Sequence, residues 1–425
     1  MRNIVIMKKA LGLLMLFIVT CVWSYAQGPY DNSVFRPEIK SVEFYNTSKQ
    51  ASFPVISLGT DEQVILGFDD LKGGSRTYYY TIEHCDANWN PSRLSPAEYL
   101  QSFTDERIFN YTYSSATFQK YTHYEIKLPN STVAPKISGN YVLKVYEDGD
   151  PSKLVLTRRL YVVNKRVSIS ANIIASNNVA ARRTNQKLNF NIDYSGLPLQ
   201  NPNRDIRAFI MQNARPETVK MNATPTYVRG TQLVYNDVNI NDFPGRNEFR
   251  HFDTRSLRLN SERIARIYRD TANTVMLLGD PIRNQADYTL LYDNNGKFFI
   301  LNQDGRDPRT DADYAHIYFS LAANKPDTEG TPYIIGQFND YKIDDSSRMQ
   351  YDSRGRFYAN LFLKQGVYDY QYVWINNATK KPDDIILEGN YFETENDYQL
   401  LIYYRPPGAR WEELVGYSLL NTAKQ

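Results

Sequence analysis

The sequence predicts an all-β protein assembled from tandem sandwich modules. Strand-favouring aromatics are abundant, with 34 Tyr and 20 Phe. The apolar runs are short and alternate with period two. Clusters of Gly, Pro, Asn and Asp interrupt them at the spacing usual for sandwiches. At 425 residues, 42% hydrophobic and 23% charged, the chain can bury two to four cores and is not wholly disordered. A formal net charge of +2 gives no reason to expect nucleic acid as a partner.

Residues 1–26 read as a cleaved signal peptide. Arg2, Lys8 and Lys9 precede an apolar stretch of about fourteen residues, and Ser24-Tyr25-Ala26 gives a small-x-small end. That stretch is short of the roughly twenty residues a membrane span needs. Cys21 follows Thr20, a poor context for a lipoprotein cleavage, so export without a lipid anchor is the expectation. Cleavage removes three basic residues and no acid, leaving 46 basic against 47 acidic side chains. Cys85 is then the sole cysteine, so no intramolecular disulfide forms and apolar cores must hold the fold. A buried, unreactive Cys85 is expected. An outer-membrane barrel is excluded because the strand candidates are too short and the connections too polar.

The first module is expected over residues 27–164, with strands at 63–68, 76–84, 121–128, 139–146 and 154–163. The last two face each other across Glu147-Asp-Gly-Asp-Pro151, a hairpin turn. Asn164-Lys-Arg166 is a short joint, which predicts a nearly fixed angle to the next module. The middle module, 165–310, has strands expected at 167–174, 187–194, 207–212, 232–235, 287–292 and 297–301, with Asp293-Asn-Asn-Gly296 turning between the last two. In 187–194 the apolar residues Leu188, Phe190, Ile192 and Tyr194 share one face. Residues 256–270 lack a clean helical face and are expected to be irregular. The last module, 311–425, has strands expected at 315–321, 332–336, 356–363, 366–373 and 398–404, the Arg410-Trp411 loop then leading into a short tail.

No zinc-protease signature, Cys-x-x-Cys pair, phosphate loop or nucleophile elbow is present. His84, His123, His251 and His316 are scattered singly, and those in strands are expected to be packed or surface residues. The acidic run Asp304, Asp307, Asp311 and Asp313 lacks a recognised calcium spacing and contains Arg306 and Arg309, so a solvated connection is expected. Asp69-Asp70 and Asp344-Asp345 are expected to be turn residues. The reading is therefore of a protein with no catalytic residues, no metal and no cofactor.

Residues 332–373, with Ile335-Gly-Gln-Phe-Asn-Asp-Tyr341 and Gly366-Val-Tyr-Asp-Tyr, resemble glycogen- and starch-binding sandwich modules. That resemblance implies an aromatic sugar-stacking face at Tyr341. The first module, with Tyr79-Tyr80, Asp86, Trp89 and Gly139-Asn-Tyr141, resembles immunoglobulin/fibronectin-like modules of periplasmic sensors. Six ordered segments extend over the whole mature length: Phe35-Arg-Pro-Glu-Ile-Lys-Ser41, Phe53-Pro-Val-Ile-Ser-Leu-Gly59, Tyr79-Tyr-Thr-Ile-Glu-His-Cys-Asp-Ala-Asn-Trp89, Ser138-Gly-Asn-Tyr-Val-Leu-Lys-Val-Tyr-Glu-Asp-Gly149, Gly245-Arg-Asn-Glu-Phe-Arg-His-Phe-Asp253 and Leu361-Phe-Leu-Lys-Gln-Gly366. Together they resemble the type IX secretion system plug protein family of Bacteroidetes-type bacteria. The resemblance implies a non-enzymatic periplasmic protein that docks on the outer-membrane translocon barrel and seals it. It supplies no contact motif. Arg246, Arg250, Arg255, Arg405, Arg410 and Trp411 are candidate interaction residues, because interfaces are anchored by Arg and aromatics. The alternative is a periplasmic carbohydrate-binding or sensor-associated module centred on Tyr341.

Overall fold

A computed structural model describes residues 30–222, 224–322, 329–352 and 354–424. The expected signal peptide and Cys21 lie outside the described residues. Alternating apolar residues pair into six sheets, stacked two by two as three sandwiches. In the first sandwich, one sheet runs Ser33–Val34, Leu154–Val163, Gly139–Glu147, Tyr78–Cys85 and Glu106–Arg107, with Val55–Ser57 parallel to Leu154–Val163. The facing sheet runs Ile39–Asn46, Val64–Asp70, Thr122–Leu128 and Tyr111–Tyr113. Between them lies an apolar core that includes Phe68, Tyr80, Ile82, Leu143 and Leu160. The Glu147–Pro151 hairpin forms as expected, with Tyr146 opposite Leu154. Cys85 is buried in this module at the end of its strand.

The other two sandwiches do not follow one another along the chain. Ser168–Ala175, Asn185–Asp193, Gln232–Tyr235 and Tyr227–Arg229 form one sheet of the second, with Asp242–Pro244 beside Asn185–Asp193. Its facing sheet is Lys220–Asn222, Ile206–Gln212, Asp397–Tyr404 and Glu413–Asn421. The last two strands therefore return to the second sandwich, and the third is inserted between its halves. A boundary at 310/311 does not divide the sheets, because Ile206–Gln212 takes Asp397–Tyr404 as its antiparallel neighbour, with Ile206 opposite Tyr404. The third sandwich packs Arg250–Asp253, Gly366–Asn376, Phe298–Ile300, Gly330–Ile335 and Pro382–Asp383 against Ile264–Arg269, Asn273–Leu277, Tyr314–Ala322, Arg356–Lys364 and Gln350–Tyr351.

Five local expectations are corrected. The stretch after Trp411 is no tail; Glu413–Asn421 pairs along the whole of Asp397–Tyr404. Part of 256–270 is a strand, Ile264–Arg269, paired with Asn273–Leu277. Residues 287–292 form no strand. They carry the exposed Leu290, Leu291 and Tyr292, and Tyr288 instead donates its hydroxyl to Glu248. The turn at 293–296 is present, but the strand after it pairs with Gly366–Asn376. Finally, Asp69 and Asp70 are not turn residues; they are buried in the strand Val64–Asp70.

Candidate docking surface

The angles between sandwiches are set by three seams, which combine buried polar groups with apolar packing. At the seam of the first and third sandwiches, Asp69 and Lys364 are 0% and 2% exposed. The Lys364 ammonium donates to Asp69 Oδ2 at 2.7 Å, and the Tyr314 hydroxyl donates to the same oxygen at 2.8 Å. The His123 ring meets the other carboxylate oxygen at 2.7 Å. Lys364 also lies 4.0 Å from the centre of the Tyr121 ring, a cation–π contact away from water. Burial pushes the Asp69 carboxyl up, but the charges of Lys364 and His123 outweigh it and hold the group below the usual carboxylate range.

The expected solvated acidic connection closes the same seam. Asp313 accepts from the backbone of Phe118 at 2.7 Å and of Gln119 at 3.1 Å. Asp304 accepts from Ser256 and Leu257, Asp307 from Arg309, and Asp311 from Arg306 and Thr310. These carboxylates are engaged by protein donors, and among the described residues no group of three or more His, Cys, Asp or Glu is arranged to hold a metal.

Between the first and second sandwiches, Tyr161 and Val163 pack on Phe209, Met211, Leu401 and Leu414. The joint itself is tied down, with Asn164 and Arg166 donating to the Leu414 and Val415 carbonyls at 2.9 Å each. Buried Glu412 accepts from Ala87 N at 3.0 Å and from Arg207, and Arg405 lies 3.5 Å away. Gly139 sits at this seam with φ of +147°, and a Cβ there would meet the His84 ring at 2.4 Å and the Glu412 carbonyl at 3.2 Å. The Ser-Gly-Asn-Tyr segment thus needs its glycine for close approach. At the second–third seam, a Cβ on Gly245 would lie 1.9 Å from the Tyr391 carbonyl oxygen.

The candidate interaction residues do not gather on one surface. Arg250 is buried in the third sandwich, bound to Glu388 at 3.0 Å and ion-paired to Asp280 at 3.2 Å, so it is unavailable to a partner. Arg246 bonds Asp384 at 2.5 Å and Gln212 across the second–third seam. Arg255 is held by Asp253, its Nε 3.0 Å from the carboxylate. Arg405, Arg410 and Trp411 sit together on the loop that bridges the first and second sandwiches. There Arg410 pairs with Glu98, and Trp411 packs on the first core. Tyr341 gives up one ring face to the Arg215 guanidinium, 5.1 Å from its centroid, and its hydroxyl donates to the Gly296 carbonyl at 3.2 Å.

Sequence reasoning passed over the segment between strands Tyr78–Cys85 and Thr122–Leu128. It supplies the edge strand of each first-sandwich sheet, Glu106–Arg107 and Tyr111–Tyr113. Phe103 and Phe109 there are 68% and 70% exposed, Tyr113 and Phe118 are also exposed, and the Arg107 guanidinium lies over Phe109 at 5.3 Å. Exposed aromatics, one of them under an arginine, have the composition of an interface core. The signal was legible as aromatics in a stretch with neither strand alternation nor a helical face.

Comparisons with known proteins agree with this architecture. Residues 39–164, the first sandwich, match the family model described as the type 9 secretion system plug protein 1st domain. That description names a secretion plug, not an enzyme. No curated protein matches the chain. A crystal structure of a hypothetical protein from Parabacteroides merdae superposes with a TM-score of 0.87 at 31% identity, over 92% of this chain and 99% of that one. Among the described residues no helix is long and apolar enough to cross a membrane. The chain belongs to the type IX secretion system plug protein family.

Proposed function

We propose that the protein is a non-enzymatic periplasmic plug that docks on the inner mouth of the type IX outer-membrane translocon barrel and seals it. The observation that carries this is the family match of the first sandwich, which also bears the exposed aromatic edge. A stopper must keep its shape under load. The three seams supply that rigidity, because turning one sandwich on another would expose paired charges such as Asp69 and Lys364. The aromatic edge around Phe103 and Phe109 is the assigned contact, and the Arg405–Trp411 loop is a secondary candidate. A specific contact of this kind buries about 800 Å² on each partner.

The test is co-purification from the native envelope, with conductance of the isolated barrel recorded with and without the protein. Wild type should bring down a large barrel and lower its conductance. A Phe103→Asp/Phe109→Asp variant should do neither while melting at the wild-type temperature. Failure of wild-type protein to retain any barrel would refute the proposal.

A further inference from the structure

Where the three seams converge, the sandwiches leave a cavity of about 760 Å³. Its wall takes Lys49 and Phe53 from the first sandwich, Asn172 and Gln399 from the second, and Asn295 and Gln337 from the third. The volume falls in the range of small-molecule sites, roughly 300–1,000 Å³, which favour domain junctions.

The wall offers hydrogen-bonding groups to an occupant. Among the described residues the side-chain amides of Asn172 and Gln337 and the Lys49 ammonium have no protein partner, Asn172 and Lys49 standing exposed to solvent. Gln399 receives the Ala214 N–H on its carbonyl oxygen at 2.8 Å, which leaves its NH₂ open. Asn295 is only 8% exposed, and its side-chain oxygen has no partner. A buried acceptor in that state can take a donor from water or from an occupant. The charges nearly cancel: Lys297 is paired with Asp397 at 3.0 Å, the Lys49 ammonium is offset by the Glu395 carboxylate on the same wall, and burial beside Asp369 pushes the Asp293 carboxyl up to about 8, so it is uncharged at neutral pH. Amides that both donate and accept, an aromatic wall and little net charge suit hydroxyl groups better than a phosphate or an ammonium.

We infer that this cavity binds a short neutral oligosaccharide, whose hydroxyls are met by Asn172, Gln337, Gln399 and Asn295. Tyr341 also lines this cavity, but the site differs from a stacking platform on one module, since an occupant touches all three sandwiches. It stands apart from the plug reading, because the aromatic edge lies elsewhere on the first sandwich.

Calorimetric titration of the full chain tests it, with maltotriose and triacetylchitotriose as probes. One of them should bind saturably. An Asn172→Ala/Gln337→Ala variant should bind it about ten-fold more weakly, as expected for two lost hydrogen bonds. Its melting temperature should be unchanged, since neither side chain holds a protein partner. No saturable heat from either sugar overturns the inference. So does binding that the double variant leaves intact, or a trialanine probe that saturates the site when neither sugar does.

Discussion

Replacing Lys364 by Met keeps most of the stem's volume and removes the ammonium that faces Asp69 across the first–third seam. The two groups are 2.7 Å apart and essentially without solvent. Asp69 would retain His123 and the Tyr314 hydroxyl but lose its nearest full charge. Removing one member of a buried pair costs about 3–5 kcal/mol, because the remaining charge stays desolvated. For a unit of this size each kcal/mol lowers the transition by roughly 2–4 °C, so a drop of about 6–20 °C is expected. The pH dependence has a definite sign. A carboxyl held below its ordinary pKa adds stability that is complete above about pH 4 and fades as pH falls through the folded-state pKa. The gap between wild type and variant should therefore narrow in acid, where Asp69 takes up a proton in both. Thermal melts by circular dichroism would be joined by hydrogen exchange in Val64–Asp70 and Arg356–Lys364. An Asp69→Asn/Lys364→Met variant should cost less than the two single changes summed. A Lys364→Met protein that melts within about 2 °C of wild type, with exchange unaltered in both strands, would refute the reasoning.

Glu412→Ala should destabilise by about 2–4 kcal/mol, since Ala87 N–H and Arg207 lose their buried acceptor. Faster proteolysis at the 164–166 joint would report it, and cleavage at the wild-type rate would contradict it. Burial holds His84 at about 4, so the unfolded chain takes the proton first as pH drops. Stability from this group is therefore whole above about pH 6.5 and declines by about 3 kcal/mol toward pH 4. His84→Leu should flatten that part of a denaturation–pH profile. Burial pushes the Cys85 thiol up to about 12, so a disulfide reagent should label it only at the rate of unfolding, and rapid labelling of native protein would count against the packing described. Burial alone would raise Glu388, but the Arg250 and Arg283 guanidiniums draw it down to about 2. The third sandwich should accordingly keep its near-ultraviolet dichroism in mild acid longer than an Arg250→Met variant does.

Local strand content was legible because alternation is a short-range property. Leu154–Val163 and Gln232–Tyr235 have the bounds their apolar residues imply, and Cys85 is as buried as its neighbours suggest. Strands that carry their own weak pattern escaped. Only the first half of Glu413–Asn421 is buried, and Asn273–Leu277 is a short run whose place is set by neighbours on both sides. Most of the candidate site was hidden for a related reason. An arginine in a loop reads the same whether it meets a partner or, like Arg250, an acid 138 residues away.

The sequence by itself determined that this chain is all-β, that Cys85 sits in a buried strand, and which family it resembles. Alternation and ordered local segments are properties of neighbouring residues. Only the tertiary structure decided that Glu413–Asn421 closes the second sandwich, that the third is an insertion, and that Asp69 meets Lys364 from 295 residues away. Strand partnership and buried charge pairing depend on which distant surfaces pack together, and no local pattern records that.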